Sequence, residues 1–327
     1  MADTFLITGS SGYVGSHFVK FFAQAGRRVV GLDLVPPPSL LTPYLASHAV
    51  ADMADERAVE RLCGSNRVTA VIHCAAKCLV GESVERPDLY MDHNFARARK
   101  LAEAIERSGV GTFLFSSTAA VYGEPKSTPI LDSHPRKPIN PYGESKRRFE
   151  DHLIEREKTG GLHVGIFRYF NAAGADPGKE LGESHDPETH LIPNAIRTAL
   201  GLRTSFDLFG TDYPTRDGTC ERDFIHVWDL ADAHLRLVDR MKGGGAGGVY
   251  NLGTGRGFTV KEVLDEIDRQ AKTKLSRRMR PRRPGDPAVL VADPSKAKKE
   301  LGWTPKFSDL STIVSSALSW HRSSGDS

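Results

Sequence analysis

The sequence has little of what marks a membrane, secreted or nucleic-acid-binding protein. No apolar run in its 327 residues approaches the roughly 18 residues that cross a bilayer. The opening MADTFLITGSSG lacks a basic stretch followed by a long apolar one, so we expect no secretory signal. The formal net charge of +3 is too small to indicate nucleic acid or an anionic membrane as a partner.

Cysteine is also scarce, with four residues at positions 63, 74, 78 and 220. The spacing of Cys74 and Cys78 matches neither a CxxC redox pair nor a usual zinc knuckle. Buried free thiols in a reducing compartment fit this pattern better than disulfides do. We therefore expect a cytoplasmic protein without a metal site.

What the chain does contain is an alternation of short β-branched runs with helical patterns. This alternation predicts βαβ units, and hence an α/β fold with a doubly wound parallel Rossmann sheet. A smaller C-terminal α/β substrate lobe is expected to follow, with domains at 1–171 and 172–327 and with about 222–253 returning to the first domain. The predicted strands are 4–8, 28–33, 48–53, 68–75, 112–117, 163–169 and 248–252, and the predicted helices 13–25, 87–108, 142–159 and 191–200.

Two biased segments lie in the second half. The run GGGAGG at 243–248 is interpreted as a flexible loop rather than a domain linker. Segment 277–283 holds five arginines among seven residues, a density that alone would suggest nucleic acid. Because the whole chain is close to neutral and no aromatic residues are interleaved, a solvated or anion-binding loop is the preferred interpretation.

A glycine-rich loop, TGSSGYVGS, follows the first predicted strand and opens the first helix. Gly9 allows a tight turn, Gly12 lets the backbone approach a pyrophosphate, and Gly15 lets the helix pack closely on the strand. The free N–H groups of the helix N-terminus then attract the phosphates. Asp33 ends the second strand, where a carboxylate binds ribose hydroxyls and repels a 2′-phosphate, which favours NAD over NADP.

A second constellation combines hydroxyls, a phenol and an ammonium. Ser116, Ser117 and Thr118 stand at the carboxyl end of a predicted parallel strand, where ligands bind in open α/β sheets. Tyr142 and Lys146 lie four apart at the start of a helix and so share one face. An ammonium about 6 Å from a phenol stabilises phenolate by roughly two pKa units. This falls short of full activation, so we expect Tyr142 to become a competent base only with NAD⁺ bound.

Together these motifs resemble the extended short-chain dehydrogenase/reductase family, and within it the UDP-galactose (UDP-glucose) 4-epimerases. The resemblance runs over nearly the whole chain, through VGES, SSTAAVYG, NPYGESK, RYFNAAGA, ETHLIP, NLGTG, RRPGDPAVLVAD and LGW. Its most specific part is LFGTDYPTRDGTCERDFIHVWDLADAH at 208–234.

The resemblance implies roles for individual residues. Tyr142 would be the base, Lys146 would hold the nicotinamide ribose, and Thr118 would bridge to the 4-hydroxyl of the sugar. The cofactor would be bound by Gly9, Gly12, Tyr13, Val14, Gly15, Asp33, Asp52, Met53, Cys74, Asn94, Ser116, Lys146 and Phe170. The UDP-sugar would be bound by Thr118, Tyr142, Asn171, His190, Leu191, Phe209, Arg222, Val260, Arg283, Asp286 and Leu290.

Several positions depart from the family pattern. Thr118 stands where serine is commoner, and His190 replaces an asparagine beside the sugar. Cys78 occupies the place of a lysine near the cofactor, with Lys77 one residue away, so either could make that contact. Leu290 is intermediate between the bulky gating residues of enzymes restricted to UDP-glucose and UDP-galactose and the small ones of enzymes that admit N-acetyl sugars.

The implied reaction removes hydride from C4, rotates the resulting 4-keto sugar, and returns the hydride to the opposite face, so that NAD stays bound. A 4,6-dehydratase is disfavoured because Ala119 and Ala120 replace its Asp–Glu pair. A UDP-arabinose/UDP-xylose 4-epimerase shares all of these motifs, and a non-catalytic NAD-binding scaffold is a third alternative. A homodimer through helices 87–108 and 142–159 is also expected, with Leu89, Phe95 and Leu101 as candidate contacts.

Overall fold

The computed structural model describes residues 3–283 and 285–324, and every structural statement below concerns those residues. The strands are β1 Thr4–Thr8, β2 Arg28–Asp33, β3 Ser47–Val50, β4 Ala70–His73, β5 Thr112–Thr118, β6 His163–Tyr169, β7 Asn171–Ala173, β8 Phe206–Phe209, β9 Glu221–His226, β10 Gly248–Leu252, β11 Gly257–Thr259, β12 Arg277–Arg280 and β13 Val289–Leu290. The α-helices are α1 Tyr13–Gln24, α2 Glu56–Asn66, α3 Val80–Glu85, α4 Pro87–Met91, α5 Ala98–Arg107, α6 Pro141–Lys158, α7 Leu191–Ala199, α8 Val227–Lys242, α9 Val260–Ala271, α10 Ser295–Leu301 and α11 Leu310–Ser323.

The main sheet is parallel throughout, in the order β3-β2-β1-β4-β5-β6-β10. Its central strands, such as β1 and β4, are buried and mostly apolar on both faces, as helices covering both faces require. In β1, Phe5 and Ile7 enter a core with α1 and α8, whereas Leu6 enters the opposite core with α2, α5 and α6. The predicted doubly wound α/β fold is therefore confirmed.

A smaller group of elements lies beside the carboxyl edge of this sheet. Strands β7, β9, β11 and β13 form one small sheet, and β8 pairs with β12 in another. Helices α7, α9 and α11 pack together around Ile192, Leu264 and Ile313. Strand β10 then returns to the main sheet and pairs with β6.

The observed elements differ from the predicted ones in a few places. The strands expected at 48–53 and 68–75 are shorter, because only Ser47–Val50 and Ala70–His73 find ladder partners. The arginine-rich segment is not wholly a loop, since Arg277–Arg280 forms β12. The helix expected at 87–108 continues through a π-helical segment, Asp92–Arg97, that separates α4 from α5. Such insertions recur at functional sites, and this one contains Asn94.

Among the described residues, no helix combines the length and the apolar character that crossing a membrane would require.

Candidate active site

The glycine loop between β1 and α1 uses its three glycines in different ways. Gly9 has a φ of +69°, and a Cβ there would lie 2.6 Å from the backbone nitrogen of Ala75. A Cβ on Gly15 would lie 2.0 Å from the carbonyl oxygen of Gly9. A Cβ on Gly12 would come no closer than 3.4 Å to that oxygen. The fold itself therefore requires Gly9 and Gly15, whereas the bare backbone of Gly12 leaves space for a ligand at the helix N-terminus.

The acidic residue expected to select NAD lies against this loop. The Asp33 carboxylate accepts hydrogen bonds from the backbone N–H groups of Ser11, at 2.9 Å, and Val35, at 3.3 Å. It thus stands at the carboxyl end of β2 beside the turn that would hold the pyrophosphate. The loop and the carboxylate fit a dinucleotide without a 2′-phosphate.

The next predicted cofactor residues lie around β3 and the π-helical segment. Asp52 accepts from the backbone N–H of Ala54 at 2.8 Å and pairs with Arg97, and Met53 is buried. Asn94 is buried and exchanges two hydrogen bonds of 2.9 Å with the backbone of residue 77. Its amide therefore fixes the loop after β4, while contact between these side chains and the cofactor stays a prediction.

The loop after β4 contains Lys77 and Cys78, the two candidates for one contact with the cofactor. The Cys78 thiol lies close enough to Tyr142 and Lys146 to perturb both electrostatically. The Lys77 ammonium acts instead on His93. Of these two residues, Cys78 is therefore the one that interacts electrostatically with Tyr142 and Lys146.

The catalytic candidates are brought together by the ends of β5 and α6. The Asn140 side chain caps α6 by accepting from the backbone N–H of Gly143 at 2.8 Å, and Pro141 occupies the first turn. Lys146 is buried, and its Nζ donates to the carbonyl oxygen of Ser116 at 2.9 Å. The Thr118 hydroxyl is near enough to the Tyr142 phenol to lower its pKa. Hydroxyl, phenol and ammonium thus share one crevice.

The pKa values of Tyr142 and Lys146 differ from those expected from the sequence. Burial raises the pKa of Tyr142 and the nearby Cys78 raises it further, while the hydrogen bond from Thr118 only partly opposes this. Burial also lowers the pKa of Lys146 from 10.5 to about 8. The expectation that the lysine alone lowers the pKa of the phenol by about two units is therefore wrong, because it neglected the loss of solvation on burial. The protein by itself keeps Tyr142 protonated.

Sequence reasoning missed the charged network beneath the catalytic residues. Glu150, one helical turn after Lys146, is fully buried and accepts from Ser117 at 2.5 Å, Arg168 at 2.7 Å and Arg136 at 3.0 Å. Arg168 also donates to the Tyr122 hydroxyl at 2.8 Å. The network fastens α6 to β5 and β6. Its only signal in the sequence is a glutamate four residues after the lysine.

The predicted nucleotide-binding residues gather on β8, β9 and β13. The Arg283 guanidinium lies 4.1 Å from the centre of the Phe209 ring. Arg222 pairs with Asp286, so these two predicted UDP-sugar residues form an ion pair with each other. Leu290 lies opposite Arg222 in the strand pairing.

The remaining residues predicted to bind the cofactor or the substrate are Phe170, Asn171, Leu191 and Val260. Asn171 donates from Nδ2 to the carbonyl oxygen of Asp223 at 3.1 Å. Phe170 is buried in a small apolar cluster, and Leu290 packs against it. Leu191 and Val260 open α7 and α9. The binding roles of these residues stay predictions.

His190 belongs to a group of four side chains that sequence reasoning did not recognise. Its Nδ1 lies 2.8 Å from a Glu188 oxygen and 3.0 Å from a Glu183 oxygen, and His185 joins the same carboxylates. The carboxylates of Glu183 and then Glu188 raise the pKa of His185 to about 10. Burial opposes the same effect at His190, yet its pKa is also raised to about 10. The sequence signal was the spacing E-x-H-x-x-E-x-H.

Fold and site define a Rossmann-type enzyme that binds a nicotinamide dinucleotide and brings Thr118, Tyr142 and Lys146 together in one crevice. A family profile described as the NAD dependent epimerase/dehydratase family matches residues 5–253. The chain belongs to the NAD dependent epimerase/dehydratase family.

Individual relatives show which enzymes of the family this chain is similar to. The UDP-glucose 4-epimerase of Halalkalibacterium halodurans is 42% identical over 97% of this chain and 95% of that protein. A crystal structure of UDP-glucose 4-epimerase from Brucella ovis in complex with NAD superposes with a TM-score of 0.93, at 40% identity over 97% of this chain and 98% of that one. The UDP-Glc/GlcNAc 4-epimerase from Campylobacter jejuni gives 0.84, at 37% identity over 98% and 99%. The resemblance found in the sequence is confirmed.

Proposed function

We propose that this chain is an NAD-dependent UDP-glucose 4-epimerase, which interconverts UDP-galactose and UDP-glucose by removing hydride from C4 and returning it to the opposite face. The observation that carries the proposal is the Thr118–Tyr142–Lys146 set, standing beside the glycine loop in a chain similar over nearly its full length to UDP-glucose 4-epimerases. These relatives favour the hexose epimerase over a pentose epimerase or a silent scaffold.

The cofactor is NAD, held by the glycine loop, Asp33 and Lys146. When bound, it supplies the hydride acceptor and donor and a positive charge in the crevice. The chain has little reason to release it, since the reaction leaves it unchanged and binding extends from the first strand to α6.

Proton transfer is assigned to Tyr142 with the help of Thr118. The Tyr142 phenolate takes the proton of the 4-hydroxyl and, as the phenol, later returns it, and the Thr118 hydroxyl aligns both oxygens. Because burial raises the pKa of Tyr142, the phenolate forms only when additional positive charge enters the crevice. Lys146 contributes a donor that is already oriented by the Ser116 carbonyl.

The substrate is gripped through its nucleotide and left loose at the sugar. Arg222, Arg283 and Phe209 supply charge and a flat apolar surface for UDP, and most of the residues assigned to the substrate would bind its nucleotide rather than its hexose. Such an arrangement lets the keto sugar rotate about its phosphate link between the two hydride transfers.

Tolerance of UDP-GlcNAc and UDP-GalNAc is proposed as a second capacity. Leu290 is half-buried against the Phe170 cluster, and the Campylobacter jejuni relative is named for both UDP-Glc and GlcNAc. A leucine is smaller than the aromatic residues that would close the sugar pocket. Leu290→Ala should increase turnover of UDP-GlcNAc relative to UDP-galactose, and equal inertness of wild type and variant would remove the gating role.

The function is tested with purified protein and UDP-galactose, without added NAD. We expect UDP-glucose to form, and Tyr142→Phe to lose activity by about 10²-fold or more. Tyr44→Phe, which removes a phenol hydroxyl bonded to Glu180 at 3.2 Å, should remain active and serves as the control. Undiminished epimerisation by Tyr142→Phe, or no turnover of UDP-galactose beside turnover of UDP-arabinose, would contradict the proposal.

We further propose a cytoplasmic homodimer formed through the helical segments 87–107 and 141–158. The four cysteines are free thiols, which suits a reducing compartment. Leu101 is fully buried within its own chain, so it does not face a partner; Leu89 and Phe95 remain candidates. The division at residue 171 is likewise proposed, supported by the return of β10 to the main sheet.

A further inference from the structure

Four donor side chains in the loop before α7 converge on one point. They are Glu183, His185, Glu188 and His190, and their ligating atoms all lie within 4.8 Å of one another. Both imidazoles present the same atom, Nδ1, to the same two carboxylates. Nothing in the proposed reaction requires this convergence.

The distances in this cluster suit a tetrahedral metal ion. Bonds of about 2.0–2.2 Å to zinc place tetrahedral ligands about 3.3 Å from one another. His185 Nδ1 lies 3.4 Å from Glu183 and 3.6 Å from Glu188, and His190 Nδ1 lies 3.0 Å and 2.8 Å from the same residues. These four nitrogen–oxygen separations bracket the ideal one, and because the ligating atoms as a group lie within 4.8 Å of one another, the cluster would contract around an ion.

A second observation points to a missing partner. His185 Nδ1 is shielded from solvent, yet within the described part of the chain it has no hydrogen-bond partner of good geometry. It lies close to two carboxylate oxygens without donating well to either. Buried polar atoms are nearly always satisfied, and a metal ion bound between these atoms would satisfy this one.

The charge of the cluster favours a divalent ion. The Glu183 and Glu188 side chains are 8% and 2% exposed, so two nearly buried negative charges need two positive ones. In the metal-free chain the two imidazolium rings supply them, and one divalent ion would supply both at once while the two rings release their Nδ1 protons and become ligands. Two nitrogen donors select a transition ion rather than Mg²⁺ or Ca²⁺, which prefer oxygen ligands.

We propose that Glu183, His185, Glu188 and His190 bind a first-row divalent transition ion of the Zn²⁺ type. The ion fixes the loop that leads into α7 and leaves Nε2 of the half-exposed His190 ring free to donate, as the second nitrogen of a metal-bound histidine usually does. The cluster also stands beside the glycine loop, since the His185 ring centre lies 6.4 Å from that of Tyr13. Metal binding would therefore tie the lobe to the cofactor side of the crevice.

The test is titration of the chelator-treated full chain with ZnCl₂ by calorimetry and with CoCl₂ by visible spectroscopy. We expect one ion per chain and the intense visible absorption of tetrahedral Co²⁺. His185→Gln and Glu183→Gln should each weaken binding at least tenfold and lose the Co²⁺ band. His163→Gln, which removes an exposed histidine at the opposite end of the main sheet, is the matched control and should bind like wild type.

Both readouts measure the metal directly, so they do not depend on epimerase activity. Absence of saturable binding by wild type would overturn the proposal. So would unchanged binding by His185→Gln, since the ion would then be held elsewhere, for example by the four thiols. A Co²⁺ spectrum typical of six-coordinate oxygen ligation would also overturn it.

Discussion

Two substitutions in the glycine loop, Gly15→Ala and Gly12→Ala, can distinguish a glycine needed for packing from a glycine needed for NAD binding. In Gly15→Ala, the new methyl group would lie 2.0 Å from the Gly9 carbonyl oxygen, where ordinary contacts are about 3.5 Å. Alanine is favoured in a helix by up to about 1 kcal/mol, but overpacking against rigid backbone costs about 1–3 kcal/mol or more. We expect the clash to dominate, with a net destabilisation of about 2 kcal/mol.

Gly12→Ala should behave in the opposite way. Its methyl group would have 3.4 Å of clearance from the Gly9 oxygen, so the loss of stability should stay near the roughly 0.5 kcal/mol typical of a poorer helix cap. The methyl group would, however, occupy the surface on which the pyrophosphate is expected to lie. NAD affinity should therefore fall at least about tenfold.

Thermal unfolding of the NAD-free variants and calorimetric titration with NAD separate the two effects. Gly15→Ala should lower Tm by roughly 4 °C without NAD, whereas Gly12→Ala should show its defect mainly in NAD binding. If Gly15→Ala were as stable as wild type, the close packing of α1 on β1 would not be what requires this glycine. If Gly12→Ala bound NAD normally, the loop would not approach the cofactor there.

Two further predictions concern buried charge. Glu150→Gln deprives Arg168 of its carboxylate and should destabilise the protein by about 3 kcal/mol in chemical unfolding. Asp151→Asn, whose side chain is 42% exposed, should stay within about 1 kcal/mol, and equal effects would contradict the buried network. Burial lowers the pKa of Lys146 from 10.5 to about 8. Between these pH values the unfolded NAD-free chain therefore binds more protons than the folded one. The contribution of Lys146 to the free energy of unfolding then rises with pH across this window. The difference in Tm between wild type and Lys146→Met should therefore change in favour of wild type from pH 8 to 10, and a constant difference would refute the shift.

The sequence by itself determined those features that depend on neighbours along the chain. A glycine loop after a strand, a carboxylate at the next strand end, and a tyrosine and lysine four apart on a helix are fixed by local geometry. Because parallel strands align their carboxyl ends, the order of the elements also predicts that Thr118 and Asp33 face one crevice. Hence the fold class and most of the candidate site could be named beforehand.

Only the tertiary structure decided the electrostatics and the long-range partners. Glu150 meets Arg168 across 18 positions, and Arg222 meets Asp286 across 64, and no periodic pattern encodes such pairs. The direction of the pKa shift of Tyr142 was predicted wrongly because burial is a property of the whole packed molecule rather than of the YxxxK spacing. The spacing of Glu183, His185, Glu188 and His190 is visible in the sequence, but only the folded loop brings their four donor atoms to one point.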